Sequence, residues 1–281
     1  MYRVSPFTPL FFSPSADLHG VESKCVQVFS NTDRILIEII AIDETDAPPP
    51  LKITNIDKDY ETSYNWKVWH MNDNTDVYFI NLQGFDDATY IASIGDKKSE
   101  TFCVTSDDMV LQDTVLVQYS NRDNRQRNDS VFWIDGMQYF FDFRIPGGFK
   151  DDNWTFNVNG EQFTTADNDR IDLYGQETTI KALTIGNSCG CPVWFADLVN
   201  RLLCCNYVYV DGVRYCRNES DTPEMNAEIE GNKSYIFKQS LLRVMNLDPT
   251  IEQNNMLVMR RVENDKYRAN TKDSKTFNLI V

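Results

Sequence analysis

The stretch Leu183–Arg217, LTIGNSCGCPVWFADLVNRLLCCNYVYVDGVRYCR, constrains the fold more tightly than any other part of the chain, because it carries a complete local plan. Pro192 suits the first turn of a helix, where its missing N–H would go unpaired in any case. From there the pattern predicts a helix over 192–205. Trp194, Leu198 and Leu202 recur at i, i+4 and i+8, with Phe195, Val199 and Leu203 beside them, so one broad apolar face needs covering. Asp197, Asn200 and Arg201 take the other side. Two β-rich runs follow within 207–217, split by Asp211-Gly212, the strongest short signal for a two-residue hairpin turn at positive φ. A helix packed on a hairpin is the expected unit, with Trp194, Phe195, Leu198 and Leu202 as its scaffold core.

The rest reads as sheet. Aromatic residues make up 12% of the 281 positions, many of them in alternating settings. Residues 1–19 read as an extended arm, punctuated by Pro6, Pro9 and Pro14 and loaded with Phe7, Leu10, Phe11 and Phe12. Such an arm lies either on its own domain or on a neighbouring subunit, and these four residues are candidate subunit contacts. Residues 20–108 alternate short apolar runs with turn chemistry, as expected of an antiparallel β-sandwich. Among its strands are Arg34 to Ile42, Tyr64 to Trp69 and Asp76 to Leu82. Residues 109–281 form a β-rich α+β domain, joined to the first near 106–113. Within it, Pro146-Gly147-Gly148 is expected to stop a strand and Asn159-Gly160 to turn a hairpin. A terminal strand is expected over Thr276 to Val281. The fold class is mainly β with one notable helix.

Charge limits the partners. The chain carries 42 acidic against 27 basic residues, a net charge of −15, which repels phosphate backbones and excludes naked nucleic acid as a main partner. The longest apolar run, Ile35 to Ile42, contains Glu38 and is too short to span a membrane. Three prolines interrupt the N-terminus, so no secretory leader is read there, and the seven cysteines are expected to be reduced. Against this acidic background Arg122, Arg125 and Arg127 form a compact basic loop, either a solvated turn or a contact for an acidic patch on a neighbouring subunit.

Catalytic and metal chemistry find little support in the residue pattern. His19 and His70 are the only histidines, and no nucleophile elbow or phosphate loop appears. Cys189-x-Cys191 and Cys204-Cys205 are spaced too closely for paired zinc ligands. Asp167-Asn168-Asp169-x-x-Asp172 and Asp73-Asn74-x-Asp76 look like calcium-loop fragments, but lack the glycine and the distal glutamate. Asp86-Asp87, Asp107-Asp108 and Asp151-Asp152 sit in turn-like settings where Asp caps backbone N–H groups. No catalytic residue, cofactor or metal is expected. Tyr64, Trp66 and Trp69 are the candidate glycan-binding surface, with Tyr64 and Trp66 on one strand face and Trp69 on the other.

The run FWIDGMQYFFDFRIPGGFKDDNWTFNVNGEQFTT, with IGNSCGCPVWF, DGVRYCR and the Pro223-Glu224 pair after it, resembles tail-module structural proteins of phages and prophages of Bacteroides-type bacteria. The likeness covers roughly residues 100 to 245. It implies a ring-forming distal-tail or baseplate subunit, made in the host cytoplasm and assembled into a virion tail. Its implied partners are copies of itself and other tail proteins. The alternative is a carbohydrate-binding module or adhesin that uses Tyr64, Trp66 and Trp69 on a host surface glycan.

Overall fold

A computed structural model of the chain describes residues 2–12, 25–44, 46–125, 127–219, 222–229, 234–244, 259–262, 266–270 and 276–279. His19 lies outside them. The structure is mainly β, with one substantial helix, and its compact units are Met1–Arg243 and Val244–Val281. The join at 106–113 therefore falls inside a single compact unit.

The sandwich comprises β1 (Tyr2–Val4), β2 (Gln27–Ser30), β3 (Ile35–Ile42), β4 (Leu51–Asn55), β5 (Tyr60–Tyr64), β6 (Lys67–Asn72), β7 (Thr75–Leu82), β8 (Ala88–Ile94), β9 (Lys97–Lys98) and β10 (Phe102–Thr105). One sheet runs β1-β3-β7-β6; the other runs β2-β10-β8-β4-β5, with β9 on β8. Pairing is antiparallel except between β2 and β10. Ile35, Ile37, Ile39, Ile80 and Leu82 of the first sheet meet Leu51, Ile53, Tyr90, Ile94, Phe102 and Val104 of the second. Apart from Glu38, β3 is apolar on both faces because both are covered. Its even-numbered residues turn away from the sandwich core towards 121–139, where Phe79 of β7 meets Tyr139 at 5.6 Å between ring centroids.

The expected strand over Tyr64 to Trp69 is two strands. β5 ends at Tyr64 in one sheet and β6 begins at Lys67 in the other. At the crossing, the Trp66 indole N–H donates to the Pro49 carbonyl at 2.7 Å.

After a one-turn helix, α1 (Asp108–Leu111), capped by the Asp107 side chain, come β11 (Thr114–Ser120), β12 (Trp133–Ile134), β13 (Met137–Gln138), β14 (Phe141–Thr164), β15 (Arg170–Ile185), α2 (Val193–Leu202), β16 (Tyr207–Val210), β17 (Val213–Arg217), β18 (Glu224–Ile229) and β19 (Ser234–Arg243). Hydrogen bonding runs β11-β14-β15-β19-β17-β16 and returns to β11. The sheet is thus a closed six-stranded antiparallel barrel, which leaves those strands without a free edge along their paired length. β18 adds to β19 outside this ring.

α2 starts from Pro192 and ends in a tightened turn through Cys205. Trp194, Phe195, Leu198 and Leu202 are buried as the apolar stripe requires. The β16–β17 turn has Asp211 and Gly212 at φ 47° and 79°, the positive values that an Asp-Gly hairpin needs.

Two expected turns are absent because β14 runs through both. At Pro146-Gly147-Gly148 the strand changes partner from β11 to β15 instead of stopping. Gly147 has φ 120°, and a Cβ there would lie 2.2 Å from the Thr184 carbonyl oxygen, so only glycine allows this approach. Asn159-Gly160 lies in mid-ladder opposite Gln176-Gly175. The actual turn is Thr165–Asp169, with Asn168 at φ 63°.

Over its described residues, 2–12, the N-terminal arm belongs to the core of its own chain, and the rest of the expected arm lies outside the described residues. Leu10 and Phe12 sit in the sandwich core. Phe7 is fully buried against Phe132 at 5.4 Å, and the Tyr119 hydroxyl donates to its carbonyl. Phe11 packs on Phe195 at 5.4 Å and Trp194 at 5.8 Å. The apolar load expected of a subunit contact is consumed within the chain. In the second unit, β20 (Met259–Val262), β21 (Lys266–Asn270) and β22 (Thr276–Leu279) form an antiparallel sheet in that order.

Phe7→Ala should lower the unfolding free energy by about 3–5 kcal/mol, the cost of emptying a buried aromatic site, in chemical denaturation; an unchanged midpoint would show that the arm is not part of the core.

Candidate functional site

The most distinctive surface is the ribbon formed by the outer parts of β14 and β15. β14 leaves β11 at Pro146, and β15 leaves β19 at Ile180. Beyond these points Trp154–Thr164 and Arg170–Thr179 pair only with each other, over roughly 35 Å at the usual rise per residue. Both strands are exposed over most of this length.

Residues paired across antiparallel strands share a face. On one face lie Trp154, Phe156 and Val158, opposite Lys181, Thr179 and Glu177. Phe156 and Val158 are 71% and 72% exposed. Trp154 and Phe156 are 5.8 Å apart, and the Lys181 ammonium sits 3.5 Å above the Trp154 ring. The other face carries Phe163, Ile171 and Tyr174, also exposed. The apolar stripe changes face near the Gly160–Gly175 pair and the bulge between Glu161 and Gln162. The tip turn is closed by Thr165 N–H to the Asp169 carbonyl at 2.8 Å and Asp169 N–H to Thr165 Oγ1 at 3.1 Å. The first calcium-like fragment occupies this tip, where Asp172 accepts from Gln162 at 2.7 Å.

A second feature is the basic loop after β11. Asn124 Oδ1 accepts from the backbone N–H groups of Phe132 and Trp133, and Asn206 Oδ1 accepts from Arg122 N–H. The loop is therefore held in shape. Arg127 binds Asp129 through two hydrogen bonds of 2.8 and 2.7 Å, and its guanidinium lies 4.6 Å over the Phe7 ring. Burial disfavours the charged Asp129, but the hydrogen bond and charge of Arg127, with Arg3 beyond, hold its carboxyl below the usual range. Arg3, Arg127, Asn128 and Asp129 line an open cleft of about 370 Å³. Arg122 and Arg125 are exposed on the same loop.

The other expected site residues do not converge. Tyr64 and Trp66 are packed against the sandwich core, and Trp69 lies in the other sheet, so the three form no common glycan platform. His70 lies 2.6 Å from Asp76, the last residue of the second calcium-like fragment. Asp86 pairs with Lys58, and Asp87 accepts from Ser106. Cys191 is buried, while Cys189, Cys204 and Cys216 are exposed. Burial pushes the Cys205 thiol up to about 12, which keeps it protonated and unreactive. Among the described residues no group of three or more His, Cys, Asp or Glu side chains is arranged to hold a metal, and no helix is long and apolar enough to cross a membrane. In comparisons with known proteins, the chain matches no protein-family model and none of the curated proteins.

Glu38, noted in the sequence only as a charge interrupting an apolar run, is the acid at the centre of β3. It is fully buried where the arm, β3 and the basic loop meet. Its Oε2 accepts from Ser130 Oγ at 2.9 Å and Val131 N–H at 3.1 Å, while Oε1 has no partner among the described residues. Its backbone carbonyl accepts from Ser5 N–H, and its N–H donates to Thr8 Oγ1. Burial pushes the carboxyl up to about 8, against the lowering effect of those two donors.

The native chain thus keeps a proton that the unfolded chain gives up near pH 4.5. This contribution to stability is complete below about pH 4.5 and is lost as pH rises through about 8, at up to roughly 1.4 kcal/mol per pH unit. Glu38→Gln, which keeps the shape and stays neutral, should remove that slope in denaturation curves taken across the window; an identical slope in the variant would assign it elsewhere.

Proposed function

We propose that the chain is a non-enzymatic structural subunit that assembles with copies of itself into a ring, and that the ring belongs to a phage tail or baseplate. The observation that carries the assembly reading is the ribbon. An isolated two-stranded ribbon is at best marginally stable in water, and apolar side chains exposed on both of its faces call for a partner that covers them. Burying Phe156 and Val158 on one side and Phe163 and Ile171 on the other would stabilise the ribbon and the contact together.

The tail or baseplate part of the proposal comes from the resemblance of residues 100 to 245. The ribbon lies within that stretch, which supports reading it as the contact segment. Contacts would come from this ribbon and not from the N-terminal arm, whose aromatic residues are used in their own core. A closed ring repeats one interface around its axis, so a modest contact per subunit suffices. In this reading the chain is made in the host cytoplasm and joins other tail proteins in the virion.

Analytical ultracentrifugation tests the assembly. The protein should sediment as a closed oligomer, and Phe156→Glu with Phe163→Glu should shift it to monomer. These exposed changes should leave unfolding of the body within about 0.5 kcal/mol of the parent. A parent that stays monomeric at high concentration, or an oligomer indifferent to both substitutions, would remove the proposal.

A further inference from the structure

We infer that the acidic tip of the ribbon from one copy docks on the arginine-lined cleft of a second copy, making the contact head-to-tail. This rests on the assembly reading above and adds which surfaces meet. The outer ribbon carries Glu161, Asp167, Asp169, Asp172 and Glu177 against the single guanidinium of Arg170. All these carboxylates are exposed, and none is in an ion pair among the described residues. Concentrating like charge at the end of a free-standing ribbon weakens it unless opposite charge lies beyond the tip.

The same chain presents that opposite charge on a different surface. Arg3, Arg122 and Arg125 are exposed and free of ion pairs among the described residues. Arg127, already paired with Asp129, frames the cleft with Arg3. The loop backbone is braced by Asn124 and Asn206, so little backbone ordering is left to do when its arginines are engaged. Guanidinium forks suit carboxylates, which they bind through two parallel hydrogen bonds. Ile42, 45% exposed, lies two residues beyond Ile40, the cross-strand partner of Arg3, and so offers apolar surface on the same sheet face as Arg3.

A second copy is the favoured occupant for two reasons. On a chain of net charge −15, copies repel each other unless unlike patches are brought into register, and this pairing does that. Both patches are also exposed in the same chain, so they do not satisfy each other within it. When the tip of each copy enters a different neighbour, the contact is heterologous and closes into a ring or continues as a filament.

Two full-length variants test the docking: Arg3→Glu with Arg125→Glu, and Asp167→Lys with Asp169→Lys. Each alone should associate at least about ten-fold more weakly than the parent, as expected for reversing charges in a steered contact. Mixed in equal amounts they should recover association, because the acidic tips of the first meet the intact arginines of the second, and the lysine tips of the second meet the new glutamates of the first. Recovery also shows that both variants are folded. If either variant associates like the parent, or the mixture fails to recover, the docking is wrong. If the variants behave so while Phe156→Glu with Phe163→Glu still gives monomer, the assembly reading survives without it. A parent that never associates ends both.

Discussion

The antiparallel pairing of β14 with β15 is the interaction on which the rest of the molecule depends, because the same ladder serves two environments. In its inner part, Gly147 to Phe149 against Leu183 to Ile185, it closes the barrel and shields its hydrogen bonds behind neighbouring strands. In its outer part, beyond the register shift between Phe149 and Trp154, it carries the ribbon into solvent. Loss of the inner pairing would open the barrel and withdraw the base from which the ribbon projects. The two functions are separable by position: Leu183, Thr184 and Ile185 of the inner part are buried, whereas Phe156 and Val158 are apolar and exposed.

The barrel is fixed to the sandwich by polar contacts as well as by the arm. Arg144 of β14 grips Asp33 with bonds of 2.7 and 2.8 Å, and Asp142 accepts from the Arg34 backbone N–H at 3.0 Å and from Gln118 at 2.9 Å. Asp33 and Asp142 are almost completely buried, so breaking one partner would strand a charge. Such pairs contribute less net stability than apolar packing would, but they define one register between the two halves. Glu38 belongs to the same junction and meets the burial penalty differently, by staying protonated.

Where local chemistry decides structure, the sequence was readable. Pro192, the stripe Trp194, Phe195, Leu198 and Leu202, and the Asp211-Gly212 turn locate the helix and hairpin to within three residues at the helix end. β3, β7 and β8 follow from their apolar patterns. Where partners distant in sequence decide, it was not. Pro146-Gly147-Gly148 and Asn159-Gly160 are turn signals overridden by a continuous ladder to β15. Asn65-Trp66 is a crossing between sheets inside what reads as one strand. The basic loop was visible as a charge cluster, but its braced shape depends on Asn124 and Asn206. The ribbon was hidden by its own turn signal, although alternating Trp154, Phe156 and Val158 could have shown an apolar face with nothing assigned to cover it.

The central claim is that the ribbon is an unfinished surface completed by another copy. Amide hydrogen exchange along Trp154–Thr164 and Arg170–Thr179, followed as protein concentration is raised, tests this most directly. The account predicts that these amides exchange rapidly in dilute solution and become protected as the assembly forms, while barrel and sandwich amides stay protected throughout. Exchange in the ribbon that is slow in the monomer, or equally fast at every concentration, would contradict it.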